Sequence, residues 1–117
     1  MKSFRELKVW NKSHILVLSI YKTTKLFPNE EKFGLTSQIR RSAASIPTNI
    51  VEGFKRKSNK DFIHFLNLAD ASLEETKYHL ILSKDLDYID CTTYNDLMEK
   101  CDEIGKMLFG LQKKLNP

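Results

Sequence analysis

An all-α, antiparallel up-down-up-down four-helix bundle is the fold this sequence predicts, and three observations predict it. Four stretches carry apolar residues at alternating steps of three and four, the spacing of one helical face. Short connections separate these stretches, so successive helices must run antiparallel to bury their faces together. No stretch alternates apolar and polar residues for long enough to make a sheet. A length of 117 residues with 41% hydrophobic content suits a single domain over 1–117. Helices of about 22 residues predict a rod roughly 33 Å long.

The first helix is expected from Arg5 to Leu26. Leu7, Trp10, His14, Val17 and Tyr21 form one seam, read as the core seam. Val9, Ser13, Leu16 and Ile20 form a second, centred roughly 120° away. The combined apolar arc is wider than an isolated bundle needs, so Val9, Leu16 and Ile20 are assigned to a contact with another copy of the chain. Phe27-Pro28 ends the helix, because a residue before proline is pushed out of helical geometry. Phe27 and Phe33 are expected to fold back over the end of the core.

The second helix begins at a Thr36 or Ser37 cap and runs to Arg56. Its seam is Ile39, Ala43, Ile46 and Ile50, and a polar line of Arg41, Ser45, Asn49, Glu52 and Arg56 follows the same rod. Pro47 removes a backbone donor and predicts a kink, and Gly53 weakens the last turn. Ala44, Pro47 and Val51 make an apolar shoulder, expected to receive the spare face of the first helix in a neighbouring copy. Such a heterologous contact closes into rings.

Ser58, with Asp61 three residues on, predicts the start of a third helix over Asn59–Lys84, with the seam Phe62, Leu66, Ala69, Leu73, Thr76 and Leu80. After an acidic loop from Asp85 to Cys91, Thr93 with Asp96 predicts a second such cap. The fourth helix follows to Leu115 on the seam Leu97, Cys101, Ile104, Leu108, Leu111 and Leu115. Cys101 reads as a small buried hydrophobe.

Residues 1–60 hold 13 Lys/Arg against 4 Asp/Glu, and residues 61–117 hold 6 against 11. One explanation is a basic helix pair packed beside an acidic one. The other is a basic surface for a polyanion, for which Arg40, Arg41, Lys55, Arg56, Lys57 and Lys60 are the candidate residues. Catalytic chemistry is poorly supplied. His14 falls on a core seam, Asp61 and His64 have no second carboxylate–histidine pair to complete a di-iron site, and Glu75 and His79 lie off the seam of the third helix. No phosphate-binding glycine loop or activated nucleophile is present. No enzyme activity, metal or cofactor is expected. The two cysteines lack a disulfide or zinc spacing, and no apolar run approaches the ~20 residues of a membrane span, so a cytoplasmic protein with no membrane contact is expected.

Leu7-x-Val9-Trp10, Tyr21 with Phe27-Pro28, Glu31-x-Phe33-Gly34-Leu35, Gln38-x-Arg40-Arg41-Ser42-Ala43-x-Ser45-Ile46-Pro47, Asn49-Ile50-x-Glu52-Gly53, Ser58, Phe62 and Phe65-Leu66 together resemble a known family. It comprises the bacterial four-helix bundles encoded in intervening sequences of 23S rRNA genes, also called S23 ribosomal proteins. Its members resemble the accessory protein of diversity-generating retroelements, a basic pentameric bundle that works with a reverse transcriptase. The resemblance implies a bundle and a homopentamer. It assigns no biochemical role. The sequence therefore predicts a non-enzymatic, homo-oligomeric accessory module that binds RNA or DNA non-specifically through a basic rim. The alternative is a structural scaffold whose partner is an acidic protein or a nucleic-acid enzyme.

Overall fold

Four periodic apolar faces meet in one core in the computed structural model, which describes residues 2–117. A 3₁₀ turn, Phe4–Glu6, leads into α1 (Lys8–Thr24). A second 3₁₀ turn, Asn29–Glu31, precedes α2 (Leu35–Phe54), followed by α3 (Asn59–Asp85) and α4 (Cys91–Leu115). The helices close a square in chain order: α2 lies against α1 and α3, and α4 lies against α3 and α1. The molecule measures 43 × 24 × 20 Å. The all-α bundle predicted from periodicity is the observed fold, with no strand among the described residues.

The seams of three helices are those expected. Ile39, Ala43, Ile46 and Ile50 of α2 are buried, as are Leu66, Ala69, Leu73, Thr76 and Leu80 of α3 and Leu97, Cys101, Ile104 and Leu108 of α4. Phe62, Leu111 and Leu115 are half-buried at the ends. Pro47 lies inside a continuous helix and is itself buried. The polar line along α2 bonds back on itself: Ser45 Oγ donates to the Arg41 carbonyl at 2.9 Å, and Asn49 Nδ2 donates to the Ser45 carbonyl at 2.8 Å.

In α1 the two seams exchange roles. Val9, Ser13, Leu16 and Ile20 are the buried ones, Leu16 and Ile20 with no exposed surface at all. Of the seam read as core, Leu7 is buried, Trp10 and Val17 are half-buried, and His14 and Tyr21 are exposed. Ser13 is tolerated inside because its hydroxyl donates to the Val9 carbonyl at 2.7 Å, within its own helix. Its small side chain lets α1 settle deep in the bundle. Trp10, His14 and Tyr21 lie at the seam's margin, where bulky rings keep their polar tips in water.

The helix ends also differ from expectation. The α2 amino end is capped by Glu31 rather than Thr36 or Ser37. Its Oε1 accepts from the Leu35 N–H at 3.0 Å. Gly34 makes this possible, since a Cβ there would lie 2.7 Å from that oxygen. Ser58 caps α3 as expected, accepting from the Asp61 N–H at 3.1 Å. Asp90, not Thr93, caps α4, accepting from the Thr93 N–H at 2.8 Å. Phe27 is buried against Tyr88, but Phe33 is 88% exposed and caps nothing.

Candidate nucleic-acid interface

Antiparallel packing brings three chain segments to one end of the bundle: the approach to α1, the α2–α3 turn and the carboxyl end of α4. Asn59 Nδ2, at the start of α3, donates to the Leu115 carbonyl at the end of α4 across 3.1 Å. Lys8 and Lys114 line one cleft between α1 and α4, together with Glu6 and the apolar Leu7, Val9, Met107 and Leu111. This end carries Lys2, Arg5, Lys8, Lys55, Arg56, Lys57, Lys60, Lys106, Lys113 and Lys114, against Glu6, Glu52 and Asp61. At the opposite end Glu30, Glu31, Asp85, Asp87, Asp90 and Asp96 are balanced by Lys22, Lys25, Lys32, Arg40, Arg41 and Lys84. The charge asymmetry of the sequence thus becomes an asymmetry along the bundle axis as well as between its halves.

Lys55, Lys57 and Lys60 are exposed, and among the described residues none has a carboxylate within salt-bridge distance. Arg56 is partly committed: it lies 3.7 Å from Glu52, and its guanidinium sits 4.5 Å over the Phe65 ring. Sequence reading places the rim on the α2–α3 turn alone. It misses Lys8, Lys113 and Lys114, which only the folded topology brings to the same end. Helix dipoles add little net field there. The amino ends of α1 and α3 and the carboxyl ends of α2 and α4 meet at this end with opposite signs.

Arg40 and Arg41 stand near the other end of α2, roughly 20 Å along the helix from Lys55. Arg40 is held within the fold. Its Nε donates to Thr24 Oγ1 at 2.8 Å and its guanidinium stacks 4.6 Å over the Tyr21 ring. Arg41 is exposed on the polar line.

The residues assigned to a self-contact also separate. Val9, Leu16 and Ile20 are buried in the monomer core, and Pro47 is buried as well. Ala44 and Val51 are half-buried. The exposed apolar surface of α1 is instead Ile15, Leu18 and Tyr21, with Leu18 56% exposed.

Between α2 and α3 lies a buried polar cluster. Thr76 Oγ1 and Ser42 Oγ are 2.9 Å apart, and Ser42 Oγ is 3.1 Å from His79 Nδ1. Glu75 reaches to 3.8 Å of the His79 Nε2. Burial lowers the His79 pKa below its ordinary value, against a smaller upward pull from Glu75. Helical spacing puts His79 off the seam, yet it is buried. It is one residue from Leu80 and three from Thr76, on the edge of α3 facing α2. Cys101 is buried between the helices and its thiol is pushed up to about 12, chiefly by desolvation. Among the described residues, no three His, Cys, Asp or Glu side chains converge as a metal site.

The model of the 23S rRNA-intervening sequence protein family matches residues 5–110. The chain belongs to this family. The match takes in all of α1 to α3 and most of α4, so most of the basic end lies within the matched region. Like this family member, a protein from Bacteroides thetaiotaomicron VPI-5482 folds as the same bundle. That protein, solved at 1.70 Å and described as one of unknown function from the S23 ribosomal protein family, is 36% identical. The similarity covers 90% of this chain and 98% of that one, with a TM-score of 0.83. No curated protein matches. No helix among the described residues of the family member is long and apolar enough to cross a membrane.

Proposed function

We propose that the protein is a non-enzymatic, homo-oligomeric accessory module that binds nucleic acid through its phosphates at the basic end of the bundle. One observation carries this reading: cations from three separate segments gather on one end, with most of their carboxylate partners elsewhere. Phosphate contact needs only such a surface and is indifferent to sequence. A family named for 23S rRNA intervening sequences is in keeping with a nucleic-acid setting. So is the resemblance to the retroelement accessory protein, which also supplies the expectation of five copies. We assign the self-contact to the outer face of α1, where Ile15, Leu18 and Tyr21 are exposed, with the half-buried Ala44 and Val51 of α2 as its second element. A ring would repeat the basic end around one rim.

The test is fluorescence anisotropy of labelled RNA and DNA across a salt series. Binding is expected at ~50 mM salt and largely lost by ~200 mM, as counterion release requires. Reversing Lys55, Lys57 and Lys60 to Glu should abolish it with the helices intact. Undiminished binding by that variant would sink the reading. One observation favours the scaffold alternative: Leu26 and Phe33, each 88% exposed at the opposite end, are large apolar side chains available to a protein partner. In that case the reversed variant would retain all activity in partner capture, and nucleic acid would not compete.

A further inference from the structure

Phosphate contact alone does not distinguish a single strand from a duplex, but the basic end carries something phosphates do not need. Phe109 is 65% exposed on α4, and the Lys113 ammonium, one turn nearer the basic tip, lies 5.5 Å from its ring centroid. Gly105, one turn before Phe109, faces α3; a Cβ there would stand 3.5 Å from the Leu73 side chain. Gly110 follows Phe109 and leaves open space, since a Cβ added there would meet nothing within 4 Å. The ring is thus largely exposed, with the Lys113 ammonium over one face and no side chain on the residue that follows it. At the α2–α3 corner of the same end, the guanidinium of Arg56 is already stacked on Phe65, and His64 meets the Phe65 ring edge-on at 5.4 Å.

Resting on the proposed nucleic-acid reading, we infer that the basic end takes single-stranded nucleic acid, with an unpaired base stacked on Phe109 and the flanking phosphates held by Lys113 and its neighbours. An exposed aromatic ring beside cations is what single-strand binding uses, because every base has a π-face and a duplex hides it. The Arg56 plane offers a second stacking surface of the same kind. The exposed Phe33 at the far end also has a lysine over its ring, with the Lys32 ammonium 5.6 Å from the centroid, but it follows Glu30 and Glu31 in the chain and lies at the end where acids and bases balance. The combination of exposed ring and net positive surface occurs at the basic end.

The experiment compares labelled, unstructured single strands of RNA and of DNA, about 20 nucleotides long, with a duplex of the same length. Wild type is expected to prefer the single strands. Phe109→Ala should weaken single-strand binding about tenfold, the loss of one stacked base, and leave duplex binding within about twofold. Phe109→Trp should restore it, and the salt slope should be the same in all three proteins because no cation is removed. Circular dichroism checks that the exposed substitutions leave the fold unchanged. Equal affinity for duplex and single strand, or an equal loss on both in Phe109→Ala, would overturn the stacking inference while leaving phosphate binding in place. No binding to any of the three probes at low salt would overturn the underlying reading as well.

Discussion

Ser42 and His79, 37 residues apart in the chain, meet at 3.1 Å between α2 and α3, both with little exposed surface. Each hydroxyl of the cluster also has a carbonyl acceptor within its own helix, that of Ile39 at 3.2 Å for Ser42 and that of Ser72 at 2.9 Å for Thr76, so Ser42 Oγ can either donate to Nδ1 or accept from it. Glu75 lies 3.8 Å from Nε2, beyond hydrogen-bond reach. Burial, which disfavours the charged ring, holds the folded-state pKa below 6.5, with Glu75 only partly opposing it. The unfolded chain then binds the proton more readily than the folded one, so stability from this site is complete above pH 6.5 and is lost as pH falls through that value toward the folded pKa. Urea melts at about pH 7.5 and about pH 5.5 should show this loss in wild type and a smaller one in His79→Gln. The depressed carboxylates Glu31 and Asp90 lose their contributions at lower pH, as they protonate below their ordinary values. Identical pH dependence in the two proteins would remove His79 from this role.

Leu16 and Leu18 separate the core from the outer face of α1. Leu16 has no exposed surface, and Leu18 is 56% exposed. Leu16→Ala should cost about 2–5 kcal/mol in a denaturant melt, whereas Leu18→Ala should fall within about 0.5 kcal/mol. Leu18→Asp should reduce the mass measured by light scattering without changing helix content. If Leu18→Asp instead leaves an assembly intact, the self-contact lies on another face.

These two leucines also mark where the sequence is legible and where it is not. In α2, α3 and α4 each helix has one dominant apolar seam, so periodicity identifies the buried face directly. In α1 two seams compete. The one rich in large rings looks more hydrophobic, yet Ser13 and Thr24 satisfy their hydroxyls on the Val9 and Ile20 carbonyls and are buried. That compensation is local and invisible in a hydropathy pattern. The Lys55–Lys60 turn is legible because its cations are nearly contiguous. Lys8 and Lys114 share a cleft only because α1 and α4 are neighbours, which spacing along the chain cannot report.

At Gly53 α2 packs tightly against α3. A Cβ at this buried position would lie 2.8 Å from the Phe65 Cβ and 2.9 Å from Phe62 Cδ1. Alanine is the better helix former by about 1 kcal/mol, so propensity alone predicts that Gly53→Ala stabilises. The contact distances predict the opposite, because the Phe65 Cβ is fixed to the backbone and cannot swing aside. Gly53→Ala should destabilise by about 1–3 kcal/mol. A raised midpoint in a urea melt would show that α2 and α3 can part at no cost.

Arg40 and Lys57 carry the same charge, and the structure gives them opposite uses. Arg40 Nε donates to Thr24 Oγ1 at 2.8 Å while Thr24 donates to the Ile20 carbonyl at 2.8 Å, and the guanidinium covers the Tyr21 ring. Arg40→Glu breaks this chain and leaves an anion at the α1–α2 seam. It should cost about 1–2 kcal/mol of stability, with nucleic-acid affinity at low salt reduced only by the general change in net charge. Lys57 is exposed and without a carboxylate partner among the described residues. Lys57→Glu should leave stability within about 0.5 kcal/mol and reduce the slope of log affinity against log salt by about one. Chemical denaturation and salt-titrated anisotropy on both variants separate the two roles. If Arg40→Glu flattens the salt slope and Lys57→Glu does not, the phosphate surface lies along α2 and not at the basic end.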